Sequence, residues 1–311
     1  MSTPEQRLCV ATIRRTGTVA HLRLGPSDGR PLGSFTPGSH ILIQTPASVN
    51  AYSLTGPHVD PGAYEISVQR HRDRGGSAWL HQLSVGHTVS VSGPVSGFAP
   101  VLSAAHHLFI VGGIGVTPIL SHVRAAVTGS RSFEVIDAHR PGPAAHRDEL
   151  TRLCGSRLTT VTDRGALLQR LTERLADQPL GTIAYLCGPA EMMAAVRALA
   201  DRLGWPAERI RSEAFTGVAL APGRPFRVRL ARSRRRVAVA AGVSLLEALE
   251  TAGIAVPHRC RQGVCGECRV GVLAGRPEHR DLYLTESERA SGDALMACVS
   301  RCLDDELELA L

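Results

Sequence analysis

Cys260, Cys265 and Cys268 fall in one short stretch, Pro257-His258-Arg259-Cys260-Arg261-Gln262-Gly263-Val264-Cys265-Gly266-Glu267-Cys268, with Cys298 and Cys302 far downstream. This C-x4-C-x2-C…C pattern narrows the possible folds more than any other feature of the chain. It is the spacing of plant-type [2Fe–2S] ligation, in which three thiolates reach the cluster from one tight loop. Gly263 and Gly266 let that loop turn closely and keep side chains away from the sulfides. Zinc is the competing reading, but zinc sites usually take their cysteines as two close pairs. Cys298 and Cys302 both qualify as the fourth ligand on spacing alone.

Five of the eight cysteines stand at or after position 260. Disulfide frameworks belong to small secreted domains and do not gather in this way. The N-terminus, MSTPEQRLCV, lacks an apolar run behind a basic start, so the protein is expected to be cytoplasmic. The longest apolar runs, such as Leu108–Val111, are too short to span a bilayer, so no membrane insertion is expected. A length of 311 residues predicts two or three domains. With 43% hydrophobic and 20% charged residues, disordered, collagenous and coiled-coil chains are excluded. The net charge of +7 is a mild, arginine-borne excess with one dense run, Arg232–Arg236. It is better explained by phosphate-bearing cofactors or an acidic protein partner than by nucleic acid.

Residues 8–100 read as short alternating strands: Val10–Arg14, Thr18–Leu24, His40–Gln44, Tyr64–Gln69 and Thr88–Ser92. Turn signals such as Pro37-Gly38 separate them, and one helical stretch, Ser77–Leu83, interrupts them. From 106 to 215 strands and helices alternate: Leu108–Val111, a helix to Ala126, Phe133–Ala138, helix Ala166–Ala176, Ile183–Cys187 and helix Ala190–Leu203. This pattern predicts a parallel α/β sheet. Thr216–Pro225 reads as a linker. Strands Phe226–Leu230 and Val237–Ala240, helix Ser244–Ala252, the cysteine cluster and a strand near Glu306–Leu309 follow.

Gly112-Gly113-Ile114-Gly115-Val116-Thr117-Pro118-Ile119 joins a strand to a helix. It offers either a pyrophosphate site at a helix N-terminus or simply a tight connection. Cys187-Gly188-Pro189 sits at a similar junction, where two such turns could share one crevice. Tyr52-Ser53-Leu54 pairs a stacking ring with a hydroxyl. Arg70-His71-Arg72-Asp73-Arg74-Gly75-Gly76-Ser77 opens the short helix and suits a phosphate, or is a solvated basic loop.

Taken together, these motifs resemble the phthalate dioxygenase reductase family over essentially the whole chain. The resemblance implies a multidomain α+β protein. Its parts would be an antiparallel flavin-binding β-barrel (1–102), a Rossmann-like α/β domain for NAD(P)H (103–217), a linker (218–225) and a β-grasp ferredoxin domain (226–311). It implies FMN rather than FAD, with Tyr52 packed on the flavin and Ser53 near its N5. The family's R-x-Y-S motif reads Asn50-Ala51-Tyr52-Ser53 here, so the phosphate-holding arginine is replaced by Asn50. Arg72 or Arg74, with the amides of Gly75, Gly76 and Ser77, would take over. Gly113, Gly115 and Thr117 would line the nicotinamide and pyrophosphate site, with Cys187, Gly188 and Pro189 at the nicotinamide end. Phe215, in Ser212-Glu213-Ala214-Phe215, would cover the flavin. Ser53, Thr117, Cys187 and Phe215 would be closest to the chemistry. Cys298, in Met296-Ala297-Cys298, is the implied fourth ligand beside Cys260, Cys265 and Cys268.

The implied activity is a hydride taken from NADH, with NADPH the alternative. The flavin converts it to single electrons, and the [2Fe–2S] cluster delivers them to a Rieske-type oxygenase or a cytochrome P450. Asp137 and Arg140, near the expected adenosine ribose, pull the nucleotide choice in opposite directions. A monomer suffices for this sequence of centres. The competing readings are an electron-transfer or redox-sensing subunit of a larger complex, and a zinc and nucleotide-binding regulatory module.

Overall fold

A computed structural model describes residues 5–46, 49–70, 75–142, 144–213, 215, 223–258, 263, 266–281 and 283–311. The chain divides into two compact units, with the main break after Phe215.

The first unit begins with an antiparallel sheet. Its strands are β1 (Glu5–Thr16), β2 (Val19–Pro26), β3 (Ser39–Gln44), β4 (Val49–Ser53), β5 (Tyr64–Gln69) and β6 (Thr88–Ser96), ordered β4-β3-β6-β1-β2-β5. Helix α1 (Gly76–Gln82) lies between β5 and β6. Alternate residues point inward, as in Ala20-Leu22-Leu24 on β2 and Tyr64-Ile66-Val68 on β5, and fill one core with Leu8, Val10, Ile41 and Ile43. The two edges meet where Leu54 bridges Ile66 and Thr55 N donates to Glu65 O at 2.9 Å, which curls the sheet into a barrel.

A five-stranded parallel sheet follows: β7 (His106–Gly112), β8 (Phe133–Ala138), β9 (Leu158–Val161), β10 (Thr182–Cys187) and β11 (Ile210–Glu213), ordered β11-β10-β7-β8-β9. Helices α2 (Val116–Thr128), α3 (Arg147–Cys154), α4 (Arg164–Ala176) and α5 (Ala190–Arg202) cover it. Successive residues of β7 face opposite cores. Phe109 and Val111 pack with α2 and α3, whereas Leu108 and Ile110 pack with α4 and α5. Burial on both faces explains why this strand reads as a continuous apolar run. Barrel and parallel sheet are joined by Ser67 on β5, whose hydroxyl lies 2.7 Å from His146 Nε2; His146 Nδ1 contacts Glu149 at 3.3 Å, and Arg124 pairs with Glu149.

The second unit contains β12 (Phe226–Leu230), β13 (Arg236–Val239), α6 (Leu245–Thr251), β14 (Arg269–Ala274), β15 (Pro277–Glu278), α7 (Glu286–Ser291), β16 (Ala294–Met296), β17 (Arg301–Cys302) and β18 (Glu306–Leu309). Five strands form a mixed sheet, β13-β12-β18-β14-β16, and β15 pairs with β17. A capping box starts α6. The Ser244 hydroxyl takes the Glu247 amide, and Glu247 returns a carboxylate oxygen to Ser244 N. Leu245, Leu246 and Leu249 on that helix pack onto Val228, Leu230, Leu307 and Leu309. Among the described residues no helix is long and apolar enough to cross a membrane.

Candidate functional site

The order of the parallel sheet puts a topological switch point between β7 and β10, the usual place for a crevice at the carboxyl ends of strands. Two turns converge there. Gly112–Gly115 leaves β7 and Cys187–Pro189 leaves β10, and a Cβ built on Gly115 would lie 2.3 Å from the Cys187 carbonyl oxygen. Glycine at 115 is therefore a packing requirement. Gly113 is the opposite case: nothing lies within 4 Å of a Cβ position, and it is the left-handed φ of +56 that favours glycine there. The Thr117 hydroxyl donates to Ile114 O at 3.0 Å and steadies the turn from inside. Gly188 is half-buried, while Pro189 is exposed as the residue before α5.

β11 adds a carboxylate to this crevice. Glu213 stands opposite Cys187 in the parallel register. Burial pushes the Glu213 carboxyl up to about 8, and among the described residues its Oε2 has no hydrogen-bond partner. Burial, and secondarily Glu213, also raises the Cys187 thiol well above its ordinary value, so it is held protonated rather than poised as a nucleophile. The sequence reading quoted Glu213 without giving it a role. Its signal was an acid at a strand end, two positions before the aromatic Phe215. Phe215 is half-buried at the margin of the core under α2 and α3.

On the barrel side, Ser53 is buried at the end of β4, and Tyr52 packs partly against the barrel core. Burial raises the Tyr52 phenol. Gly75 is the residue before α1, with φ 91, and as a glycine it brings no side-chain cap. Among the described residues the first amides of the helix have no side-chain acceptor, which suits a phosphate group. Arg72 and Arg74 lie outside the described residues. An orphaned buried carboxyl oxygen, an open glycine turn and an uncapped helix start together fit a flavin and a nicotinamide.

In the second unit β14 pairs with β16, and Ala297 N donates to Cys268 O at 3.0 Å. Cys298 therefore follows a residue bonded directly to Cys268, and both cysteines are buried. Cys302 instead belongs to β17, which pairs with Pro277 on β15. Gly266 (φ +80) carries the ring of Tyr283 against it, where a Cβ would lie 2.3 Å from the ring. Tyr283 is 48% exposed and had no role in the sequence reading. Cys260 and Cys265 lie outside the described residues. The buried thiols brought together by this ladder fit an iron–sulfur centre.

A parallel nucleotide sheet beside a flavin-type barrel, followed by a cysteine-loop unit, defines an oxidoreductase that carries electrons to an iron–sulfur centre. Two family descriptions match. Residues 92–210 match the N-terminal domain of dimethylamine monooxygenase subunit DmmA-like proteins, and residues 228–303 match the 2Fe-2S iron-sulfur cluster binding domain. The heme-dependent oxidative N-demethylase beta subunit of Ectopseudomonas mendocina is 42% identical over 274 residues, 87% of each chain. The structure of phthalate dioxygenase reductase superposes with a TM-score of 0.74 at 31% identity, covering 99% of this chain and 98% of that one. An intact type IV self-sufficient cytochrome P450 monooxygenase matches with a TM-score of 0.80 at 32% identity, covering 99% of this chain and 41% of the longer one. The chain belongs to the phthalate dioxygenase reductase family, the flavin and [2Fe–2S] reductase components of oxygenase systems.

Proposed function

We propose that this chain is an NADH-dependent reductase that holds FMN and a [2Fe–2S] cluster and supplies a terminal oxygenase, Rieske-type or cytochrome P450, from the cytoplasm. Its parts are a flavin barrel (1–102), a nucleotide domain (103–217), a linker (218–225) and a ferredoxin domain (226–311), acting as a monomer. Bound flavin would supply the conversion of one hydride into two single electrons.

The chain's residues do the positioning. Tyr52 packs against the flavin and Ser53 hydrogen-bonds near its N5. The amides of Gly75, Gly76 and Ser77, with Arg72 and Arg74, hold the FMN phosphate. The amides of Gly113 and Gly115 face the nucleotide pyrophosphate. Thr117, Cys187, Gly188 and Pro189 shape the nicotinamide end, Glu213 holds a proton there, and Phe215 keeps water off the ring. Cys260, Cys265, Cys268 and Cys298 ligate the cluster.

The observation that carries this reading is the Ala297–Cys268 backbone bond, which brings a distant cysteine to the C-x4-C-x2-C loop. Asp137, 4% exposed at the end of β8, supports NADH, whereas the exposed Arg140 just beyond it favours NADPH. The test is the visible spectrum of the purified protein before and after anaerobic NADH, then NADPH, with the flavin released by heating identified. Combined flavin and [2Fe–2S] absorption bleached by NADH, with FMN released, is the expected result. A colourless protein, or flavin without iron, would sink it.

A further inference from the structure

The second unit concentrates unanswered positive charge in one turn. Arg232, Ser233, Arg234, Arg235 and Arg236 join β12 to β13, and all five are exposed. Elsewhere in this unit the arginines are engaged: Arg227 with Glu306, Arg229 with Glu308, Arg269 with Glu288 and Arg276 with Asp304, while Arg224 and Arg301 donate to backbone carbonyls. Among the described residues no Asp or Glu side chain pairs with Arg232, Arg234 or Arg236; the backbone amides of Arg232 and Ser233 donate to Leu311 O at 2.6 and 3.2 Å, which ties down the turn but leaves the three guanidinium groups without an acidic side chain.

The turn keeps these arginines against local preference. Arg236 stands directly opposite Arg229 in the antiparallel register, and like charges so placed repel. Arg234 has φ 54, a conformation that glycine or asparagine adopts with less strain. Charge on an edge strand guards against sheet-to-sheet pairing, and Arg236 on β13 serves that purpose. Arg232 and Arg234 lie off the strand and serve no such purpose. At Arg232 and Arg234 no side-chain partner among the described residues repays the broken local rule, which points to function.

The turn also lies at the cluster end of its sheet. Leu230 of β12 pairs with Leu309 of β18, and Val272 of β14 pairs with the same Leu309 from the other side. β14 begins just after Cys268, so Cys268 and the arginine turn share one end of the sheet, on strands β14 and β12 that run two spacings, about 10 Å, apart. Arg235 Nη2 donates to Ala252 O at 2.6 Å, at the end of the helix whose following loop leads to Cys260.

We infer that the Arg232–Arg236 turn is the docking contact for an electron acceptor that presents an acidic face beside the cluster loop. Guanidinium groups suit this because each can pair with a carboxylate through two parallel hydrogen bonds. Unpaired charge beside the electron exit also steers an acidic partner to that side. This inference rests on the reductase reading.

The test uses the full holoprotein and an R232Q/R234Q/R236Q variant. Two heme proteins of similar size and opposite charge serve as probes, acidic cytochrome b5 and basic cytochrome c. Bleaching of the cluster by NADH is expected to be equal in both reductases. At low ionic strength the variant should reduce cytochrome b5 about ten-fold more slowly and cytochrome c faster, and both differences should vanish in high salt. Equal changes with the two probes, or none, would overturn the inference. So would tight binding of duplex DNA at physiological salt with loss of cytochrome b5 reduction, which would make the turn a nucleic-acid site. If NADH fails to bleach a cluster in the unmodified protein, it is the reductase reading that fails, and the probe rates become irrelevant.

Discussion

Glu213 and Cys187 stand opposite each other on β11 and β10; Cys187 is fully buried, and Glu213 is half-buried with its Oε2 turned away from water. A carboxyl raised to about 8 by burial binds its proton in the folded state over a range where the unfolded chain, near 4.5, has lost it. Its contribution to stability is fully present below about pH 4.5 and is lost as pH rises through about 8. Glu213→Gln should flatten this limb. The melting temperature of the parent should fall more steeply between about pH 5 and about pH 9 than that of the variant. Parallel curves would mean that Glu213 is ionised in the fold.

The acid limb has a different origin. Burial lowers His21 and His40 to about 4 and His122 to about 3. Each prefers to stay neutral in the fold, so the stability it gives is present above about pH 6.5 and is lost as pH falls toward 4. His40 Nε2 has no hydrogen-bond partner among the described residues. His40→Leu should therefore keep the fold and reduce acid sensitivity, read as a shallower drop in melting temperature below about pH 6.

The β14–β16 ladder separates the two candidate fourth ligands. Cys298→Ser should cost the protein its [2Fe–2S] absorption and electron paramagnetic resonance signal. Cys302→Ser, on β17, should keep both. Loss of the cluster only in the Cys302 variant would reverse the assignment.

A methyl group at 115 would meet the Cys187 carbonyl oxygen at 2.3 Å, so Gly115→Ala must push the two turns apart. The expected loss is about 1–3 kcal/mol of stability in denaturant titration. Weaker NAD(P)H binding should accompany it, and unchanged affinity would place the nucleotide elsewhere.

Arg234→Gly should relieve a left-handed arginine and stabilise the second unit by about 1 kcal/mol. A denaturation curve showing no gain would mean that the turn is relaxed as it stands.

Elements with a single repeating period were legible in the sequence. Phe133–Ala138, Tyr64–Gln69 and Phe226–Leu230 read correctly to the residue, and the strand expected near Glu306–Leu309 is there. The helix expected at Ser77–Leu83 runs Gly76–Gln82, and Val10–Arg14 extends to Glu5–Thr16. β4 was not foreseen because Val49 to Tyr52 are all half-buried, which erases alternation. α3 was missed because only Leu150 and Cys154 mark its inner face. β14 through β17 and α7 were passed over beside the cysteine pattern, several of them too short to show a period.

In the candidate site, what chain neighbours carry was readable: the glycine turns, the cysteine spacing and the arginine run. The Glu213–Cys187 pair was not, because a parallel register is set by packing across the sheet and leaves no mark in either segment. The same holds for Tyr283 against Gly266, where the contact depends on how a loop of the second unit folds back.

The second unit's sheet has β18 at its centre, with β12 and β14 on either side. That strand is the last of the unit to leave the ribosome. The first unit can complete both of its sheets during synthesis, whereas the iron–sulfur unit cannot close its middle until translation of its final strand is done. Removing β18 would therefore part β12 from β14 through the middle of the sheet, and not fray an edge.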